Sequence, residues 1–166
     1  MCAAPPLQEW QEVPGQLQED GWDLYAIPTE TAASIDLDEL AVATRHPVRT
    51  RPRLPHETDE LPPADAVLVA PATFNTLNQW AAGINDTLVL GLLNELLGLQ
   101  VPIVVAMYCK AALASRPVYR TNVASLQEAG ATVLEGERSI TVQGDAFRWV
   151  AVRDALVAAR GRRSHS

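Results

Sequence analysis

Leu7, Trp10, Val13 and Leu17 recur at helical spacing and predict a first helix, which Pro14 and Gly15 kink or shorten and Gly21 ends. Trp22 to Ile27 is a short aromatic and aliphatic run stopped by Pro28, the pattern of a buried strand that delivers Thr29, Glu30 and Thr31 to a loop. Ile35, Leu37, Leu40 and Val42 lie among Asp36, Asp38 and Glu39. Acids in a first turn favour a helix start, and this second helix should finish before Pro47. Val48 to Arg53 alternates apolar or small residues with Arg49, Arg51 and Arg53, predicting a short strand or extended edge solvated on one side. Leu54 to Asp65, with Pro55, Pro62, Pro63 and four acids, is expected to be an ordered loop.

Ala66 to Ala70 is a continuous apolar run that stops at Pro71, the best candidate for a central parallel strand. Two helices should follow, Thr73 to Gly83 and Asn85 to Gly98, the second burying Leu88, Leu92, Leu93, Leu96 and Leu97. Val101 to Met107 predicts a second buried strand, Val118 to Ala129 an amphipathic helix ended by Gly130, and Ala131 to Leu134 a third strand. Ser139 to Gln143 is placed to pair with that strand through a turn at Glu135 to Arg138. Phe147 to Arg160 predicts a last helix before a basic, frayed tail over 160–166. Strands alternating with helices imply an open, mostly parallel sheet covered on both faces, with ligands bound beyond the carboxyl ends of the strands. The loops at Thr29, Pro71 and Tyr108 should meet at that edge.

Composition narrows the chemistry. With 166 residues, 48% hydrophobic and 20% charged, the chain is read as one domain, 1–166, with a full-sized core. Its 13 basic and 20 acidic residues give a formal charge of -7, which argues against nucleic acid as a partner. Cys2 and Cys109 are too few for a zinc site or a disulfide scaffold, so a reducing, cytoplasmic location is expected. Met1 to Trp10 lacks the basic and apolar regions of an export signal. The apolar region from Thr87 to Leu113 is interrupted by Asn94, Glu95, Gln100 and Pro102, and falls short of the roughly 20 residues a membrane span needs.

The segment Ala64 to Leu88, ADAVLVAPATFNTLNQWAAGINDTL, resembles the flavoprotein family that contains phosphopantothenoylcysteine decarboxylase, the lantibiotic peptidyl-cysteine decarboxylases and the flavin prenyltransferases. The matching stretch there is a strand, a Pro-Ala-Ser-Ala-Asn-Thr loop and a Gly-Ile-x-Asp helix start. Here the loop stands as Pro71, Ala72, Thr73, Phe74, Asn75 and Thr76, with Gly83, Ile84 and Asp86 beyond. Weaker resemblance runs from about Gly21 to Val133. Thr29 to Ile35 is similar to a Thr-x-x-Ala segment, and Ala106, Met107, Pro117 and Asn122 to a downstream Pro-Ala-Met-Asn region. The resemblance implies an α/β, three-layer Rossmann or flavodoxin-like domain. The family begins with a strand and a Gly-rich phosphate loop, and here Met1 to Pro6 has room only for the end of such a strand. The expectation is that Ala3 to Leu7 takes the phosphate-loop position with the first strand short or missing, or begun upstream of Met1.

It further implies flavin mononucleotide (FMN) as cofactor, with Thr29, Pro71, Ala72, Thr73, Asn75, Thr76, Ala106 and Met107 around it. Hydroxyls, amides and backbone N–H groups at a strand-to-helix junction suit an anionic phosphate or the edge of a flavin ring. Thr73 or Asn75 as a plain helix cap is the other reading of the same residues. Tyr108 stands where the decarboxylases have an asparagine that holds the substrate carboxylate, and Asn122 is a second substrate candidate. His56, near the place of the family's catalytic histidine, has the right chemistry for an acid or base, with an exposed loop histidine as the alternative. The implied activity is oxidative decarboxylation of a cysteine-containing small molecule or peptide by a homotrimer, or a homododecamer built from trimers. Another FMN-dependent oxidoreductase, or a non-catalytic subunit that keeps the fold, are the rivals. Cys109 and Lys110 have plain readings as an inert thiol and a solvated amine.

Overall fold

The computed structural model describes residues 13–29, 32, 36–52, 56, 61–134 and 149–163, with side chains up to residue 160. Seven helices and three strands run in the order α1 (Val13–Glu19), α2 (Leu37–Thr44), β1 (Val67–Ala72), α3 (Phe74–Ala81), α4 (Leu88–Gly98), β2 (Ile103–Met107), α5 (Ala111–Ala114), α6 (Pro117–Glu128), β3 (Thr132–Leu134) and α7 (Trp149–Arg163) among these residues. The strands form a parallel sheet in the order β1-β2-β3.

Central strand β2 explains the layers. All five of its residues are buried, so it reads as a continuous apolar run, as a strand covered on both faces must. Ile103, Val105 and Met107 enter a core shared with Leu77 and Trp80 of α3, Leu90 and Leu93 of α4, and Tyr119, Val123 and Leu126 of α6. Val104 and Ala106 point the other way, into a core with Leu17 of α1 and Val152, Leu156 and Ala159 of α7. The result is a helix–sheet–helix sandwich.

Strand β1 continues past the stop predicted at Pro71. Val67, Leu68 and Val69 pair with Ile103, Val104 and Val105, but Ala72 pairs with Met107, so the register shifts by one residue across Ala70 and Pro71. Proline has no N–H for the ladder, and a bulge is where a sheet tolerates it. The extra residue turns Ala72 onto the same face as Val69, while Ala70 joins the opposite core.

The helices begin and end where local chemistry directs. Asp36 caps α2, its carboxylate accepting the N–H groups of Asp38 (2.9 Å) and Glu39 (3.2 Å). Thr87 caps α4 through the N–H of Leu90, and Pro117 opens α6, where a missing N–H goes unnoticed. After α3, Gly83 takes φ +71° and the Ile84 N–H reaches back to the Gln79 carbonyl (3.0 Å). Gly130 at φ +110° closes α6 in the same way.

Three further expectations are corrected. Trp22 to Ile27 is irregular and, Asp23 apart, half-buried, with no place in the sheet: Trp22 and Leu24 pack against the α1/α7 core, the Arg160 guanidinium lies over the Trp22 ring, and Tyr25 stacks on His46. Residues 48–52 are likewise irregular, with the Arg49 side chain donating to the Arg51 carbonyl, which uses local bonds in place of a ladder. In α4 the fully buried leucines are Leu90 and Leu93, while Leu88, Leu92, Leu96 and Leu97 are half-buried. A helix apolar on nearly every face carries no sequence signal for which side packs. Helix α5 was not foreseen. The expected pairing of Ser139 to Gln143, and Ala3 to Leu7 at a phosphate loop, lie outside the described residues.

Candidate functional site

The carboxyl ends of β1 and β2 are locked level with each other. Beyond the last ladder pair the Tyr108 N–H donates to the Ala72 carbonyl at 2.8 Å. From here β1 leads into α3, and β2 leads through the Tyr108 to Lys110 segment into α5 and α6, at the carboxyl-end edge of the sheet where open α/β folds bind ligands.

Thr73 governs how α3 enters. Its backbone is extended (φ -89°, ψ 160°), its Oγ1 accepts the Thr76 N–H at 3.3 Å, and the Thr73 and Thr76 hydroxyls are 3.0 Å apart. A capped first turn holds its remaining N–H groups in fixed directions at the strand end, with the partial positive charge of the helix start behind them. Asn75, in the same turn, is exposed, whereas Thr76 is buried. This donor set of hydroxyls, a carboxamide and N–H groups is chemically suited to an anionic or carbonyl-rich group such as a flavin nucleotide.

Pro71, Ala72, Ala106 and Met107 are all buried, and the Ala70–Pro71 peptide is cis. The Met107 side chain belongs to the α3/α6 core and Ala106 to the α7 core, so both serve the sheet through their side chains. Tyr108 and Cys109 diverge: the tyrosine packs toward the α1/α7 layer and the half-buried thiol toward the α3/α6 layer. Lys110 is exposed at the start of α5. Thr29 is half-buried and its carbonyl accepts the Ala32 N–H at 2.8 Å. His56 is exposed on a turn. Among the described residues no group of His, Cys, Asp and Glu is arranged to hold a metal ion.

One arrangement had no sequence signal. Asn122 of α6 donates its side-chain N–H to Oδ1 of Asn78 in α3 at 2.6 Å, and the Asn78 amide donates to the Phe74 carbonyl at 2.7 Å. Such a pairing across 44 positions has no local spacing by which to recognise it.

Residues 15–160 match a family model described as Flavoprotein. The chain belongs to the Flavoprotein family. No curated protein sequence matches it significantly. Solved structures do. The FMN-dependent cysteine decarboxylase SpaF is 22% identical, with a TM-score of 0.75 over 95% of this chain and 93% of that one. The FMN binding protein AtHal3 is 16% identical (TM-score 0.74, 95% and 91%), and a PPC decarboxylase variant is 16% identical (TM-score 0.74, 99% and 95%). At these identities the likeness is one of fold, a mostly parallel flavodoxin-like sheet flanked by helices. Among the described residues no helix is long and apolar enough to cross a membrane.

Proposed function

We propose that this member of the Flavoprotein family binds FMN at the β1–α3 junction and is a flavin-dependent oxidative decarboxylase of a cysteine-containing small molecule or peptide. The observation that carries the reading is the Thr73-capped turn set level with Tyr108 by the Ala72–Tyr108 bond. Membership of the family and fold likeness to proteins described as FMN-dependent or FMN binding support the cofactor.

In this reading Thr73, Asn75 and Thr76 orient the flavin through hydroxyl, amide and N–H groups, Thr29 lies beside them, and Pro71, Ala72, Ala106 and Met107, their side chains in the cores, meet it through the backbone of the strand ends. Bound flavin supplies a two-electron oxidant for the substrate thiol, the oxidation that makes loss of the neighbouring carboxylate as carbon dioxide feasible. Tyr108 contributes a hydroxyl to recognition of the substrate, while Asn122, the second residue the resemblance puts on that side, has its amide engaged by Asn78 in the α3/α6 interface. His56 is the candidate acid or base.

The half-buried Leu88 and Leu92 of α4, one turn apart, offer apolar surface for the homotrimer or homododecamer that the reading includes. A cytoplasmic location belongs to the same proposal. The second reading, a subunit that keeps the fold without turnover, is favoured by Tyr108 in the position of a carboxylate-binding asparagine and by the exposure of His56.

Incubating the purified protein with peptides ending in cysteine, and following carbon dioxide release with the product mass, separates the two. Release from cysteine-ended peptides, and none from serine-ended controls, is the expected result. A protein that retains flavin but releases nothing from any thiol substrate is the second reading's outcome.

A further inference from the structure

We propose that Asn78 and Asn122 are positioning residues that hold the first turn of α3, and with it Thr73, Asn75 and Thr76, in the geometry a flavin needs; the inference rests on the FMN reading above. Both asparagines are half-buried in an interface that is otherwise apolar. Around them Leu77 and Trp80 of α3 pack with Tyr119, Val123 and Leu126 of α6. Apolar contacts set a distance between two helices but resist sliding only weakly. A directional amide bond fixes one register.

The direction of the bonds is forced. The Phe74 carbonyl can only accept, so the Asn78 NH2 faces it and leaves Oδ1 to accept from Asn122. The chain of bonds therefore runs from α6, across the interface, to the carbonyl of the first helical residue after the Thr73 cap. One turn nearer the site, the Phe74 ring stacks on Tyr119 with centroids 6.2 Å apart and planes 14° apart. Residues 74 and 78 thus face 119 and 122 in the same order, so the two helices run parallel here, each starting from the strand-end edge. Two cross-links in succession, one aromatic and one amide, tie the candidate flavin turn to α6.

The test is FMN binding by Asn78→Ala, Asn122→Ala and the double variant, followed by quenching of flavin fluorescence well below every variant's unfolding midpoint. The unfolding midpoint of the flavin-free protein is measured in parallel. Asn122→Asp, equal in shape, places a carboxylate against Oδ1 of Asn78 and serves if truncation impairs folding. The expected result is an FMN dissociation constant raised about tenfold in Asn122→Ala, at least as much in Asn78→Ala, and no further in the double than in Asn78→Ala, because the Asn122 variant removes only the bond the two share. Variants that lose thermal stability while binding FMN as the parent does would make the pair purely structural and overturn the inference. A parent protein that takes up no FMN would instead overturn the cofactor reading, and the inference with it.

Discussion

The Tyr108 N–H donates to the Ala72 carbonyl at 2.8 Å, one step beyond the bulge at Pro71, and so the two strand ends that frame the candidate site are held in register. A proline at 108 has no such donor and leaves the Ala72 carbonyl, in a residue only 1% exposed, without it. Tyr108→Pro should lose about 1–3 kcal/mol in denaturant unfolding, the penalty of an unsatisfied buried group. Tyr108→Phe keeps the bond and should unfold as the parent does.

Thr73 caps α3 through the Thr76 N–H. Thr73→Ala should cost about 1 kcal/mol, the usual worth of such a cap, and Thr73→Ser much less. The same alanine variant should weaken FMN uptake, since freeing the first turn disperses the donors. Equal affinity in Thr73→Ala and the parent would remove Thr73 from the site.

Gly83 ends α3 at φ +71°, with open space where a Cβ would stand. The effect of Gly83→Ala is therefore backbone strain without collision, about 1–2 kcal/mol for a side chain in the left-handed region. Thermal unfolding measures it directly, and a neutral result would contradict the left-handed cap.

Asp20, just after α1, is bonded by both oxygens to the Arg153 guanidinium of α7. That hydrogen bond, ahead of the opposing effect of burial and the added attraction of charge, holds the Asp20 carboxyl below its ordinary value. A carboxyl depressed in the folded state stabilises the fold above its unfolded pKa, and the contribution disappears as pH falls through the folded value. Asp20→Asn should therefore lower the unfolding midpoint at neutral pH. The gap to the parent should close on acidification below the ordinary carboxylate range. A gap independent of pH would mean that the ion pair is not its source.

Much of the fold was legible because its central elements announce themselves locally. The apolar runs Ala66 to Ala70 and Val101 to Met107 read as covered strands and contain most of β1 and all of β2, and Gly130 marks the end of α6. Pro71 was read as a stop, and it is in fact the place where the ladder skips a residue; composition alone does not distinguish an end from a bulge. Trp22 to Ile27 has strand-like residues, yet Trp22 and Leu24 are taken up by packing against the α1/α7 core and Tyr25 by its stack on His46. In the candidate site, a plain helix cap at Thr73 or Asn75 stands in the sequence only as the alternative to a cofactor role, and the structure puts that cap at Thr73; the Asn78–Asn122 bond depends on how α3 and α6 pack and leaves no periodic trace.

The central claim is that the β1–α3 junction carries FMN, and the visible absorption spectrum of the protein as purified from cells tests it most directly. Bands near about 370 and 450 nm, with FMN identified by mass after denaturation, are the predicted result. A colourless protein that also fails to bind added FMN would contradict the account.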